Sequence, residues 1–390
     1  MRVDRLFLIL IAGALVAGCA SGTTIGGLAP SGGSASPIAS GAPSAIATQS
    51  PSPGGPSPTP TATPNGSASS PAATPTPTSG STAANTGPAL DVPASALAAS
   101  LDCPSNLAGT TTTPVLLVPG TDLIPSVNYS WNYERAFTAN HIPWCAVTLP
   151  YSATGDIQTA GEYVVNAIRT MHATAGRRID ILGYSQGGMV PRWALRFWPD
   201  TRGMVLAYVG LDPSNHGTLD AEASCKGGCS PADWQQATNS HFIAALNNPV
   251  ETFAGIAYTV VFSYTDEIVV PNESVASSSS LSTGAGSIAN IAVQTICPND
   301  LSEHLAMGSY DPVGYAVAID AFAHGGLANP SRIPVSVCAE ATQPGIDQTM
   351  FAQNYAAFVM YIGQAQSGPP TGAANVMAEP TLAPYTSASP

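Results

Sequence analysis

At 390 residues the chain allows one large domain or two modest ones, and 24 acidic against 11 basic side chains give a formal charge of -13. That balance excludes phosphate-backbone recognition, which needs clustered Lys and Arg, and a single lysine, Lys226, with no P-loop motif excludes that phosphate cradle. Gly (37) and Pro (36) are abundant for a globular chain, so part of it is expected not to fold, while 44% apolar residues suffice for one sizeable core.

Arg2 and Arg5 precede an apolar run over 6–16 that leads into Ala17, Gly18 and Cys19. A charged start, a short apolar stretch and small residues at its end read as an export signal. The run is too short for a membrane span. The order Leu15, Val16, Ala17, Gly18, Cys19 also resembles a bacterial lipobox. That resemblance implies removal of residues 1–18 and diacylglyceryl modification of the Cys19 sulfur. The mature protein is then expected to be exported and tethered to the bacterial cell membrane, with its working part extracytoplasmic. From 20 to 90 there is no charged and no aromatic residue, only Ser, Thr, Pro, Ala, Gly and a few others. Such a segment cannot offset its ordering entropy, so residues 19–90 are expected to be the lipidated Cys19 plus a disordered linker. Its reach is roughly 50 Å as a coil and at most about 220 Å fully extended. The working domain is expected over 91–390.

Beyond Cys19 six cysteines remain: Cys103, Cys145, Cys225, Cys229, Cys297 and Cys338. An even number in an exported chain favours disulfides. Cys225 and Cys229 lack a partner pair of metal-ligand spacing, so they read as a local disulfide rather than half a zinc site. Continuous apolar runs predict strands at 115–118, 146–149, 179–184, 204–211, 258–263 and 291–295. Helical patterns fall at 131–140, 157–175, 187–198, 234–247 and 312–323. This alternation predicts one α/β domain, a mostly parallel sheet covered by helices on both faces.

The most informative stretch is Gly183, Tyr184, Ser185, Gln186, Gly187: a hydrophobic strand runs into Gly-x-Ser-x-Gly and a helix follows at once. That order is the nucleophile-elbow context, with Ser185 on a sharp turn and the Gln186 N–H aimed where an oxyanion would form. A serine needs a base and an orienting acid, in this fold in the chain order Ser, Asp or Glu, His. Asp266 follows a strand at the expected sheet edge; Asp212, which also ends a strand, and Glu267 compete with it. Two histidines follow Asp266. His304 lies in a loop-like segment after a strand, whereas His324 follows a helix where an imidazole has a structural use. Position favours His304. Thr121, after the strand at 115–118, could supply a second oxyanion donor or serve as a turn threonine.

At this point a family resemblance becomes specific. The stretches at 116–121, 161–168, 184–189, 233–237 and 265–269, with the block from Cys297 to His304, resemble the Candida antarctica lipase B-like lipases of the α/β-hydrolase superfamily. The likeness implies Ser185, His304 and Asp266 as a catalytic triad and Thr121 and Gln186 as the oxyanion hole. It puts Tyr184, Asp212, Gln236 and Ile268 at the substrate pocket, and pairs Cys103 with Cys145 and Cys297 with Cys338. Three departures stand out. A Cys225–Cys229 loop replaces a short helix at the pocket mouth, Tyr184 stands where the family has a tryptophan, and Ala378 stands where a C-terminal disulfide would have a cysteine.

The function implied is a serine carboxylic-ester hydrolase acting on neutral acyl esters or triacylglycerols, as a monomer without cofactor or metal. Rival readings are a polyester or cutin-type esterase or an acyltransferase on the same fold, and a surface interaction module that has lost catalysis.

Overall fold

The computed structural model describes residues 86–387. The expected export signal, the expected lipidation of Cys19 and the expected linker up to residue 85 lie outside the described residues. Seven strands, β1 (Leu101–Asp102), β2 (Val115–Val118), β3 (Trp144–Val147), β4 (Ile179–Tyr184), β5 (Val205–Leu211), β6 (Ala257–Phe262) and β7 (Ser287–Ala292), form one sheet in the order β1-β3-β2-β4-β5-β6-β7. All neighbours are parallel except β1, which pairs antiparallel with β3 at the edge.

Helices fill the crossovers, as parallel pairing requires. In chain order they are α1 (Ala94–Ala99), α2 (Pro125–Asn128), α3 (Tyr133–Ala139), α4 (Ile157–Ala175), α5 (Gln186–Phe197), α6 (Leu219–Ser224), α7 (Pro231–Gln236), α8 (His241–Asn247), α9 (His304–Met307), α10 (Pro312–Ala323) and α11 (Phe351–Gln366). Sequence chemistry sets their ends: Asp156 caps α4 by accepting from the Gln158 N–H, and Gly176 closes it with φ 64°.

β2, β3 and β4 are buried at every position, yet their side chains divide by pleat. Leu116, Val118, Ile179 and Ile181 join Val164, Trp193 and Phe242 on one face. Val115, Leu117, Leu182 and Tyr184 join Phe137, Val317 and Phe358 on the other. Burial on both faces is why these strands read as unbroken apolar runs.

The expected α/β architecture is present, with local corrections. The second strand expected at 146–149 lies at Trp144–Val147, and the last, expected at 291–295, is Ser287–Ala292, because Val293–Thr295 tightens into a 3-10 turn. The helix expected over 234–247 is two, α7 and α8, broken at extended Ala237 and restarted by Ser240, whose hydroxyl accepts from the Ile243 N–H. Helix α11 is not among the elements expected from sequence. Residues 86–90 already pack on the domain: Trp198 Nε1 donates to the Pro88 carbonyl at 2.8 Å.

Candidate active site

The C-terminal ends of β2, β4, β5 and β6 line up at one edge, the Val118–Gly183, Tyr184–Leu211 and Val261–Leu211 registers bringing their exit loops together. Ser185 leaves β4 with φ 55° and ψ −126°, a left-handed conformation that a non-glycine residue holds only when its surroundings impose it. The glycines on either side explain how. A Cβ on Gly183 would lie 2.0 Å from the Gly187 carbonyl oxygen, and one on Gly187 2.2 Å from that of Val118. Strand and helix can approach this closely only without those side chains.

Ser185 Oγ lies 3.0 Å from His304 Nε2, and His304 Nδ1 lies 2.8 Å from Asp266 Oδ2. The other carboxylate oxygen, Oδ1, accepts the backbone N–H groups of Ile268 and Val269, each at 2.8 Å. His304 is not in a loop, as expected from sequence, but opens α9, where the neighbouring Glu303 caps the helix. Tyr184 holds the far side of the histidine: its hydroxyl donates to the His304 carbonyl at 3.0 Å and its ring lies 5.0 Å from the imidazole. Burial disfavours the imidazolium, but Asp266, Glu267 and Glu303 outweigh it and raise the His304 pKa above its ordinary value. Burial, reinforced by Glu267, lifts Glu303 to about 7.

The Thr121 hydroxyl accepts two side-chain amides, Gln186 Nε2 at 3.1 Å and Gln236 Nε2 at 3.0 Å. Both amides are oriented by second bonds, to the carbonyls of Ala153 and Ala232. A hydroxyl has two lone pairs and one proton. With both lone pairs engaged, the proton of Thr121 is left to donate into the cleft. The Gln186 N–H is the first of α5, one of the donors a helix leaves without an internal partner.

Over Ser185 opens a cleft of about 300 Å³. Leu123, Ala221, Ile268, Leu305 and Ile362 give it apolar walls, while Thr121, Thr218, Gln236 and Glu267 supply polar groups. Tyr184, Gln236 and Ile268 all line this cleft. Asp212, also expected at the pocket, does not: it is fully buried, within 4.8 Å of the Asp266 carboxylate and the His304 ring, and lines no part of this cleft. His324 lines a separate cleft of about 940 Å³, half-exposed and paired with Asp320. The cleft mouth holds a further element. Helix α6, capped by Thr218, stands just before the Cys225–Cys229 loop, in a short segment to which the sequence assigns no element; the loop itself is closed by the expected disulfide and pinned by backbone bonds between Cys229 and Val376. Cys103–Cys145 and Cys297–Cys338 are also paired as the resemblance implied. Sequence reasoning missed Ile362 and Gln366, brought to the cleft by α11, and Ser214, whose hydroxyl donates to Gln236 Oε1 at 2.9 Å.

A mostly parallel sheet with a strained serine at the turn from its central strand to the next helix defines an α/β-hydrolase. Comparison with known proteins narrows this. Residues 162–294 match the family Lipase (class 2). Lipase B of Pseudozyma antarctica is 33% identical over 222 residues, 55% of this chain and 63% of that protein, so the match spans just under two thirds of its length. The crystal structure of Aspergillus fumigatus lipase B superposes with a TM-score of 0.70 at 28% identity, over 77% of this chain and 73% of that one. The chain is thus an α/β-hydrolase by fold and is similar to lipase B proteins in sequence and structure.

Proposed function

We propose that the protein is a serine carboxylic-ester hydrolase that cleaves neutral acyl esters, triacylglycerols among them, through an acyl-enzyme on Ser185. The observation that carries this reading is the unbroken chain from Ser185 Oγ through His304 to Asp266, at 3.0 and 2.8 Å, facing a cleft into which Thr121 can donate. In this reading His304 Nε2 takes the serine proton as Oγ attacks the acyl carbon. Asp266 stays ionised, fixes the tautomer and stabilises the imidazolium. The Thr121 hydroxyl and the Gln186 N–H bind the oxyanion. His304 returns its proton to the leaving alkoxide, and a water activated by the same imidazole releases the acid.

The substrate reading rests on the family likeness and on the apolar walls of the cleft, whose volume of about 300 Å³ is at the small end for ligand pockets. Export, anchoring through a lipidated Cys19 and a monomeric state belong to the same proposal and rest on the sequence. The test is hydrolysis of p-nitrophenyl esters of graded acyl length by the full chain, together with labelling by a serine-directed phosphonate. Turnover that the phosphonate abolishes is expected. Neither turnover nor labelling would favour the interaction module.

A further inference from the structure

Two aspartates, not one, stand behind His304. Asp212 follows β5 and Asp266 follows β6, and an oxygen of each lies with a His304 ring nitrogen inside a sphere of mutual distances no longer than 4.8 Å. Their hydrogen bonds divide them. Every bond to Asp266 is one it accepts: from Ile268, Val269 and His304, and a longer one of 3.4 Å from Asn272 Nδ2. That is the environment of an ionised carboxylate.

Asp212 is different. Oδ1 accepts the Ser263 N–H at 2.8 Å and a marginal 3.5 Å contact from the same Asn272 amide. Its second oxygen, Oδ2, is buried and meets no donor. The charged groups acting on it are Asp266 and Glu267, both acidic. An ionised Asp212 would leave a bare buried oxygen beside a second negative charge, and two carboxylates this close do not both ionise. One proton removes both problems, because a carboxylic acid turns an oxygen without a donor into a donor with an acceptor at hand. The backbone holds the residue there despite a left-handed φ of 39°, strain that survives only where the surroundings fix it.

We propose that Asp212 is a neutral acid whose proton is donated to Asp266, so that the chain runs Asp212, Asp266, His304, Ser185, with Asp212 a positioning residue. The hydrogen bond orients the Asp266 carboxylate and spreads its charge. Asp266 then pulls less on the imidazole proton than a bare carboxylate would. Burial and the neighbouring Asp266 hold the Asp212 carboxyl well above the usual carboxylate range, in agreement with this. The charged groups facing the imidazole are Asp266, Glu267 and Glu303, of which Glu303 itself titrates at about 7, so any change at Asp212 is read as a difference from wild type with all three in place.

The proposal rests on the esterase reading only where turnover is the readout, and the test has a second arm that does not. In full-length protein, infrared difference spectra at neutral pH should show the C=O stretch of a protonated carboxylic acid in wild type that is missing from Asp212→Asn. This arm holds whether or not any ester is cleaved. Asp212→Asn keeps a neutral donor in place and should hold kcat/KM within about tenfold, with the acidic limb of its pH profile moved by less than about half a unit. Asp212→Val removes the donor and should lose about tenfold to a hundredfold while moving that limb upward, because a bare Asp266 strengthens the imidazolium. If Asp212 were ionised, both neutral variants would move the limb down by about a unit or more. That result, an unchanged infrared spectrum, or a Val variant equal to wild type would each overturn the proposal.

Discussion

Replacing Thr121 by valine keeps the shape and the backbone N–H but deletes a hydroxyl to which the proposed function gives two tasks. The first, under that proposal, is catalytic. With both lone pairs taken by Gln186 and Gln236, its proton is free for the oxyanion. Removing one preorganised donor costs about 2.7–4 kcal/mol, roughly a hundred- to thousandfold in turnover. The loss should fall on kcat more than on KM, because the bond strengthens as charge builds on the oxygen. The second task is structural. Two amide N–H groups lose an acceptor, although each Gln keeps its bond to Ala153 or Ala232. At about 0.5–1.5 kcal/mol per bond, Thr121→Val should lose roughly 1–3 kcal/mol of stability. Thr121→Ser retains lone pairs and proton and should restore most of both. Steady-state kinetics on one soluble ester, with thermal melting of the three proteins, reads the two effects separately. A Val variant with kcat within a few-fold of wild type and only a lowered melting temperature would refute the donor role.

Other outcomes follow from the same geometry. His304→Ala should abolish ester hydrolysis, whereas His324→Ala should be mild, since that side chain is half-exposed on another cleft; the reverse result would move the base to His324. Because the base must be neutral to accept a proton and its pKa is raised, kcat/KM should fall as pH drops through a value above 6.5, and an acidic limb at or below 6.5 would contradict the three-carboxylate environment. Cys19→Ala should release the protein from the membrane fraction or leave it unprocessed, with turnover unchanged; a variant still lipid-modified at the same bond would remove the lipobox reading.

The parts of the fold that sequence made legible are those where one local rule dominates. A run buried on both faces, as in β4, and a left-handed serine flanked by glycines admit few other readings. The choice of acid was less legible, because Asp212 and Asp266 both follow strands and only their burial and hydrogen-bond partners separate them. Helix α11 escaped notice because no charged residue marks a solvent face. Yet its buried Tyr355, Phe358, Ile362 and Ala365 carry the three- and four-residue spacing that signals a helix. The Thr121–Gln236–Ser214 linkage spans loops far apart in sequence, and no local pattern encodes it.

The central claim is that an acyl group passes through Ser185 Oγ. It is tested most directly by mixing the full chain with a slowly deacylating ester, quenching with acid and mapping the added mass by peptide sequencing in a mass spectrometer. A single acyl adduct on Ser185, formed at the rate of the alcohol burst and missing from Ser185→Ala, is the result expected. A full burst from Ser185→Ala, or an adduct on any other residue, would contradict it.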